Sequence, residues 1–332
     1  MAEILNEELD TILSGTSRSF FLSLKKLPTK IRSQISLLYL LARTSDTIAD
    51  SNKGDPSNRL KLLKCYNAFV QGNSGELPDF STIANLQSDP SEKELLENVS
   101  EITSLIGDFS ENDQSHIRQC LGIIVSGQLL DLERFSLSTV DGIVALESNY
   151  QLDDYAYRVA GSVGEFWTQI SLEHIIDSVE QDRISLLEKS VRFGKALQLI
   201  NILRDIPADL QLGRSYMPSS ELSSHGLSPS DLMDPRSMES FRPLFNEYLD
   251  LTSDHLDSAA DYVSMLPFRE FRLRGSCMLP IVIGRRTLAL LRRQNVLVGS
   301  ARIKVPRREI RNIMRGIIVS LPFKSRSRAI LS

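Results

Sequence analysis

The sequence has little cysteine and little histidine. Of its 332 residues, three are cysteines without a CxxC pair, and four are scattered histidines. Such a set argues against a disulfide framework, a zinc ribbon and histidine-based metal chemistry. Apolar runs of the ~20 residues that a membrane-spanning helix needs are absent, and the acidic N-terminus lacks the basic and apolar regions of a signal peptide. We therefore expect a soluble, cytoplasmic protein.

Strand patterns are also missing, since neither alternating apolar segments nor hairpin turns between them occur. Instead, apolar residues recur at helical period over residues 31–50, 115–135, 152–175 and 185–206. The polar stretches 71–92 and 223–237 are typical of surface loops rather than of a flexible linker. The pattern predicts one all-α domain over residues 1–332, without an internal repeat.

Charge is distributed unevenly along the chain. The net charge is −4, yet residues 285–328 hold about a dozen Lys and Arg residues and one acidic residue, Glu309. Three interpretations stay open: a solvated helix face, attraction to anionic lipid headgroups at the inner face of the membrane, or attraction to a diphosphate ligand. Because no interleaved aromatic residues accompany these charges, we expect no nucleic-acid partner.

Two D-x-x-x-D pairs, Asp46 with Asp50 and Asp205 with Asp209, each end an apolar helical stretch. This spacing puts both carboxylates on one helix face. Such pairs often occur by chance, but here both adjoin hydrophobic helices, where an unpaired carboxylate is costly. Oxygen ligands favour Mg²⁺ over zinc. Because Pro207 lies inside the second pair, we expect that helix to kink or end near Asp205.

Arginines and amides accompany these pairs. Arg43 precedes the first pair and Arg204 the second, where each guanidinium can contact a phosphate or the aspartates. Gln198 and Asn201 continue the second pair at helical spacing, as one polar stripe on an otherwise apolar helix. A buried polar stripe must find partners, so this one is interpreted as the lining of a cavity.

Two further stretches are ambiguous by themselves. In "YAYRVAGSVGEFW" (155–167), small residues indicate close helix packing, room for an apolar ligand, or a helix break beside a reaction centre with Tyr155 at its edge. In "GTSRSFFLSL" (15–24), Ser17 and Arg18 precede an apolar helix, which is consistent with an anion site or with an ordinary N-cap.

Taken together and in order, five stretches resemble the squalene/phytoene synthase family of head-to-head prenyl transferases. They are "TSRSFFLSLKKLP", "YLLARTSDTIAD", "YAYRVAGSVG", "LQLINILRDIPADLQLGRSYMP" and "SCMLPIVIGRRTLALL", between about residues 15 and 320. The resemblance implies an all-α isoprenoid-synthase fold, a helical bundle around a deep central cavity.

The resemblance also implies roles for single residues. The Mg²⁺ ligands would be Asp46, Asp50, Asn201, Asp205 and Asp209. The substrate-binding residues would be Ser17, Arg18, Phe20, Tyr39, Arg43, Gln198, Asn201, Arg204, Arg214 and Tyr216. The catalytic residues would be Tyr155, Arg43, Arg204, Asp46 and Asp205. The segment "ARIKV" resembles one associated with NADPH in squalene synthases, which makes Arg302 and Lys304 candidate cofactor-binding residues.

The implied reaction is the Mg²⁺-dependent condensation of two farnesyl diphosphates through presqualene diphosphate to squalene, with reduction by NADPH. Alternatives are a dehydrosqualene or phytoene synthase, which performs no reduction, a class-I terpene cyclase, and a non-catalytic assembly relative. The D-D-x-x-D run of the cyclases is absent, and the four intact aspartates argue against the scaffold. The C-terminal run is more similar to squalene synthases, and its end without a membrane anchor is typical of a soluble bacterial-type enzyme.

Overall fold

The apolar period of the sequence is realised almost entirely as α-helix in the computed structural model. The structure describes residues 7–17, 21–50, 56–73, 75–177, 180–299 and 302–332. Within them the α-helices are α1 Glu7–Ser17, α2 Phe21–Lys26, α3 Thr29–Asp50, α4 Pro56–Val70, α5 Ser81–Leu86, α6 Pro90–Glu97, α7 Val99–Ser104, α8 Glu111–Arg134, α9 Asn149–Ala156, α10 Ser162–His174, α11 Glu180–Gln211, α12 Ser219–Ser224, α13 Met238–Met265, α14 Phe271–Arg293, α15 Arg307–Ser320 and α16 Lys324–Leu331. The predicted all-α class is confirmed.

The described residues form two compact units. The first contains those of Met1–Glu133 and Phe166–Val179, and the second contains Arg134–Glu165 and those of Glu180–Ser332. The expectation of one domain over 1–332 stays a prediction. None of the helices in the described ranges is both long and apolar enough to cross a membrane.

In the first unit, α3 is largely enclosed by its neighbours. Leu37, Leu40 and Leu41 on this helix are fully buried, and the Tyr66 hydroxyl of α4 donates to the Leu41 carbonyl oxygen at 2.9 Å. A helix apolar on most of its circumference is stable only when packed on several sides. The predicted loop 71–92 is corrected in part, since α5 lies inside it and buries Ile83.

In the second unit, α11 packs along α13, with the Phe193 and Tyr262 rings 6.3 Å apart. Contrary to expectation, α11 neither ends nor breaks at Pro207, but continues to Gln211. Proline removes one backbone hydrogen bond, and burial of Ile206 and Leu210 on either side holds the last turn in place. Both aspartates of the second pair therefore lie on one helix.

The small residues of 155–167 serve close packing. A Cβ on Gly164 would lie 2.0 Å from the Ser190 carbonyl oxygen of α11, and one on Gly194 would lie 2.0 Å from the Ala160 carbonyl oxygen. Only glycine permits such backbone contact. The same stretch also contains a break, since Tyr157–Gly161 forms a π-helical turn between α9 and α10.

One short strand pair escaped the sequence analysis. β1 (Val144–Ala145) and β2 (Arg214–Ser215) run parallel. Before β2, Gly213 has a φ of 72°, and a Cβ there would lie 2.5 Å from the Thr139 carbonyl oxygen. Glycine is therefore required at this turn, which places two predicted substrate-binding residues, Arg214 and Tyr216, at the strand end.

Candidate active site

The first acidic pair lies in the last turns of α3. Gln128 of α8 donates its amide N–H to Asp46 Oδ1, and Arg43 Nη1 lies 4.0 Å from Asp46 Oδ2. The Asp46 side chain remains 46% exposed, yet surrounding protein partly desolvates it. This desolvation, followed by the negative charge of Asp50, raises the pKa of Asp46 to about 7, against Arg43 and Gln128. A cation bound beside Asp46 would offset this desolvation and repulsion, because positive charge favours the ionised carboxylate.

The Arg43 guanidinium has one N–H group that is not used in a hydrogen bond within the described residues. Its guanidinium forms an ion pair with Glu92 of α6, while its Nε–H is buried and has no hydrogen-bond partner among the described residues. Burial acts to lower the pKa of Arg43, but Asp46 and Glu92 outweigh burial and raise it. The side chain is therefore firmly cationic, and a buried donor without a partner is costly unless a ligand satisfies it.

Tyr39 connects α3 to the end of α1, because its hydroxyl donates to the Thr16 carbonyl oxygen at 3.0 Å. Ser17 is the last residue of α1, but its side chain is outside the described part of the chain. Arg18 and Phe20 also lie outside the described residues. The predicted substrate contacts of these three side chains therefore stay predictions.

Asp205 of the second pair is held by two arginines. Arg204 donates from Nε to Oδ1 at 2.9 Å and from Nη2 to Oδ2 at 2.7 Å. Arg302 donates from Nε to Oδ1 at 2.7 Å and from Nη2 to Oδ2. Partial burial acts to raise the pKa of Asp205, but these bonds and charges outweigh it and lower the pKa. Asp205 is thus an ionised carboxylate that is already paired.

The contact of Arg302 with Asp205 differs in kind from the predicted cofactor contact. The structure places Arg302 on a predicted metal ligand, whereas Lys304 is exposed. The predicted role of both residues in NADPH binding stays a prediction.

The rest of the polar stripe follows α11 as expected. Asn201 Oδ1 accepts a hydrogen bond from Arg204 Nη2 at 2.9 Å. Gln198 and Asp209 are half-buried, and Asn201 is exposed. Arg204 therefore bridges two predicted metal ligands, Asn201 and Asp205, within one turn.

Tyr155 lies in an aromatic cluster. Its ring stacks on that of Tyr216, with centroids 4.7 Å apart, and its hydroxyl donates to the Tyr216 hydroxyl at 3.3 Å. The Phe135 ring packs edge-on against Tyr216, and the Arg214 guanidinium lies 5.8 Å from the centre of the Phe135 ring. Arg214 Nε is buried without a hydrogen-bond partner in the described ranges. The cluster thus places aromatic rings beside Arg214, whose Nε–H is, after that of Arg43, a second cationic donor without an acceptor among the described residues.

Three residues that contact the predicted site residues were not identified from the sequence. Gln128, a buried amide in the apolar run of α8, carried a local signal that could have revealed it. Glu92 and Phe135 have no such local signal in the sequence, because their partners Arg43 and Tyr216 lie far away in the chain.

Each aspartate pair, taken by itself, offers oxygen donors that fit a Mg²⁺ ion shared with a ligand. No group of three or more His, Cys, Asp and Glu side chains that could enclose an ion occurs in the part of the chain that the structure describes. Mg²⁺ typically takes one or two carboxylates and completes its shell with water and phosphate oxygens. Asp46 with Asp50, and Asp205 with Asp209, supply donors of this kind.

The helical architecture with its two aspartate pairs defines a protein of the isoprenoid-synthase fold class. The sequence profile described as squalene/phytoene synthase matches residues 13–309, nearly the whole chain. The chain belongs to the squalene/phytoene synthase family, and the predicted resemblance is confirmed.

Individual relatives are distant. A bifunctional lycopene cyclase/phytoene synthase of Pyrenophora tritici-repentis is 26% identical over 89% of this chain, which spans only 48% of that relative. Human squalene synthase is 25% identical, over 88% of this chain and 65% of the human protein. The chain therefore spans about half to two thirds of the length of these curated relatives.

Among solved structures, a ligand complex of TcSQS superposes with a TM-score of 0.78 at 20% identity, covering 98% of this chain and 89% of the other. Squalene synthase HpnC from Alicyclobacillus acidocaldarius superposes with a TM-score of 0.60 at 20% identity, covering 87% of this chain and 94% of HpnC. These likenesses establish the fold.

Proposed function

We propose that this protein is a Mg²⁺-dependent head-to-head prenyl transferase that converts two farnesyl diphosphates through presqualene diphosphate to squalene, with NADPH as reductant. Family membership supports the reaction class. The assignment to this chain depends on one observation: the buried, unpartnered Nε–H of the cationic Arg43, one turn from the Asp46–Asp50 pair.

That observation favours a ligand carrying both negative charge and a divalent cation. Desolvation and then repulsion from Asp50 raise the pKa of Asp46, while the Nε–H of Arg43 has no acceptor among the described residues. A Mg²⁺–diphosphate meets both conditions at once, because its oxygens accept from arginine and its metal binds carboxylates. Arg214, with its own unused Nε–H, provides a second phosphate donor beside the aromatic cluster.

The first chemical step breaks the C1–O bond of one farnesyl diphosphate and leaves an allylic cation and diphosphate. When bound, Mg²⁺ supplies positive charge to the departing diphosphate. Arg43 donates a hydrogen bond to an oxygen whose negative charge grows in the transition state, which is where stabilisation accelerates the reaction. The rings of Tyr155 and Tyr216 offer negative π faces to the carbon cation.

The second farnesyl diphosphate attacks this cation through its double bond, and loss of a proton closes the cyclopropane of presqualene diphosphate. Breaking the second C–O bond rearranges the ring to a new cation. Squalene would form if bound NADPH supplied a hydride to this cation, and Arg302 and Lys304 are the residues that would hold NADPH. Arg204 holds the Asn201 and Asp205 oxygens in a fixed relation to each other, because it hydrogen-bonds to both, and we assign these oxygens to metal binding.

A second candidate is a dehydrosqualene or phytoene synthase, which releases its product without reduction. The Pyrenophora tritici-repentis relative supports this candidate, since that bifunctional lycopene cyclase/phytoene synthase is as similar to this chain as human squalene synthase is. The two candidates share every step up to the last cation and differ in the hydride.

Incubation of the purified protein with farnesyl diphosphate and Mg²⁺, with and without NADPH, tests the proposal by mass spectrometry of the extracted hydrocarbon. We expect squalene when NADPH is present and no C30 product without Mg²⁺. A dehydrosqualene that persists with NADPH would select the second candidate, as would phytoene from geranylgeranyl diphosphate. Failure to join two prenyl units from either diphosphate would refute both.

Variants give a matched comparison. Asp205→Ala removes a predicted ligand, and we expect turnover to disappear while circular dichroism stays unchanged. Asp234→Ala is the control, because Asp234 is likewise paired with an arginine but lies at a surface 3₁₀ turn. Equal turnover in the two variants would contradict the assigned role of Asp205.

A further inference from the structure

The C-terminal helix pair of the second unit has an outer face of unusual composition. On α15, the exposed residues Arg308, Arg311, Arg315, Ile318 and Val319 are spaced by three, four, three and one. Residues three and four apart share one face of a helix. This single face is therefore basic over its first two turns and apolar over its last.

The apolar end of this face is unusually exposed. Ile318 is 63% exposed, Val319 60%, and Phe323 49%. Phe323 follows directly after the turn at the end of α15, where its N–H donates to the Ser320 carbonyl oxygen at 2.9 Å. Single exposed apolar residues are ordinary, but a group of large ones rimmed by polar residues indicates an interaction site.

Incomplete packing of α15 does not explain this exposure. The opposite face of the helix, which includes Ile313 and Ile317, is already buried. The helix thus has one apolar strip that the protein covers and a second that it leaves to solvent.

The surroundings of the apolar end are strongly cationic. Residues 302–332 contain nine Lys and Arg residues and a single acidic one, Glu309, in a chain whose net charge is −4. Glu309 is itself paired with Arg286, at 3.5 Å. The Arg326 guanidinium lies 4.6 Å from the centre of the Phe323 ring, so a charge and an apolar ring are held side by side. Such a surface attracts a partner that is both anionic and apolar.

We propose that the outer C-terminal face, defined as Arg308, Arg311, Arg315, Ile318, Val319 and Phe323, docks on the surface of an anionic phospholipid bilayer. The arginines would contact the headgroup phosphates, and the three apolar side chains would enter the headgroup layer. A second copy of the chain fits this face poorly, because a two-fold contact would set its arginines against the partner's arginines when the helices run parallel, or against the partner's apolar side chains when they run antiparallel. Docking does not depend on the prenyl-transfer activity.

Vesicle co-sedimentation of the full chain tests this proposal. We expect binding to vesicles of equal parts phosphatidylglycerol and phosphatidylcholine, and little binding to phosphatidylcholine alone. Binding should weaken in about 0.5 M salt, where the screening length falls to a few ångströms. Equal binding to the two vesicle types would overturn the proposal.

The variant R308Q/R311Q/R315Q tests the basic half of the face. Each basic side chain near an anionic leaflet contributes about fivefold to partitioning, so we expect a loss of roughly a hundredfold. The control K64Q/R183Q/R236Q removes the same three charges elsewhere, at residues paired with acids. A similar loss in the control would show that only net charge matters and would refute the assignment of this face.

The variant I318S/V319S/F323S tests the apolar half. We expect at least a tenfold loss of vesicle binding, since three exposed apolar groups no longer enter the bilayer. The control is Leu137→Ser, at an apolar residue that is 86% exposed. Because all these positions are exposed, the thermal midpoint of unfolding should stay unchanged and confirm folding.

Two outcomes point to another partner. If the apolar variant keeps full vesicle binding while light scattering shows that it abolishes self-association, the face is a contact between copies of the chain. If the arginine variant alone loses binding, and a DNA oligonucleotide competes fully for the wild type, the face is a plain polyanion surface. Either outcome overturns the proposal.

Discussion

Replacing Arg302 by glutamine removes one of the two guanidinium groups that hold Asp205. Arg302 reaches Asp205 from 97 residues away, with hydrogen bonds to both carboxylate oxygens. A Mg²⁺ ion that binds Asp205 must share or displace these contacts. We therefore expect Arg302→Gln to raise the affinity of the substrate-free protein for Mg²⁺.

The size of the effect follows from the exposure of the pair. The Arg302 side chain is 59% exposed, and that of Asp205 is 20% exposed. Because solvent partly screens such a pair, its interaction free energy is about 0.5–1.5 kcal/mol rather than the larger value of an enclosed ion pair. Removing that competition should tighten Mg²⁺ binding by roughly 2–10-fold.

Calorimetric titration of the substrate-free protein with Mg²⁺, or paramagnetic titration with Mn²⁺, measures this change without any turnover. Lys304→Gln is the matched control, because it removes the same charge two residues along from an exposed side chain. We expect a smaller rise in the control than in Arg302→Gln. Unchanged or weaker Mg²⁺ binding in Arg302→Gln would refute the competition between Arg302 and the metal.

Three further changes test the packing, the pH response and the first acidic pair. Gly164→Ala places a Cβ against the backbone of α11 and should lower the free energy of unfolding by about 2–3 kcal/mol in chemical denaturation. Gly107→Ala, with open space around it, should change that energy far less, and similar losses would contradict the packing argument. Partial burial, followed by nearby positive charges, lowers the pKa of His255 to about 4 from 6.5. The unfolded chain then takes up the proton first, so stability is fully present above pH 6.5 and falls as the pH drops towards 4, by roughly 1 kcal/mol after screening. His255→Gln should flatten this dependence in thermal melts between those pH values, and an unchanged slope would exclude His255 as its source. Asp46→Asn relieves repulsion from Asp50 and should raise the unfolding free energy of the metal-free protein by about 0.5–1 kcal/mol, while turnover falls at least ~100-fold. An Asp46→Asn variant that is destabilised or remains active would contradict the assignment of Asp46 as a metal ligand that is repelled by Asp50.

Much of the architecture was readable from local pattern. The helical period of residues 31–50 and 185–206 predicted α3 and most of α11, because a period of 3.6 residues acts within one turn. The same period placed Asp46 and Asp50 on one helix face. Pro207 misled the prediction, because the buried residues flanking it stabilise a helical turn that local propensity disfavours.

The partners of the site residues were not readable in this way. Gln128 meets Asp46 from 82 residues away, and Glu92 meets Arg43 from 49 residues away. No sequence period links residues at such distances. Even the motif "ARIKV", which suggested a cofactor contact for Arg302, did not reveal its contact with Asp205.

The sequence by itself determined the helical class, the position of the aspartate pairs and the family, since each depends on residue type at short, regular spacing. Only the tertiary structure decided which charges meet, which donors stay unused at Arg43 and Arg214, and which apolar residues of α15 remain uncovered. The physical reason is that desolvation and ion pairing act between residues that are close in space, and packing of the helices sets that proximity.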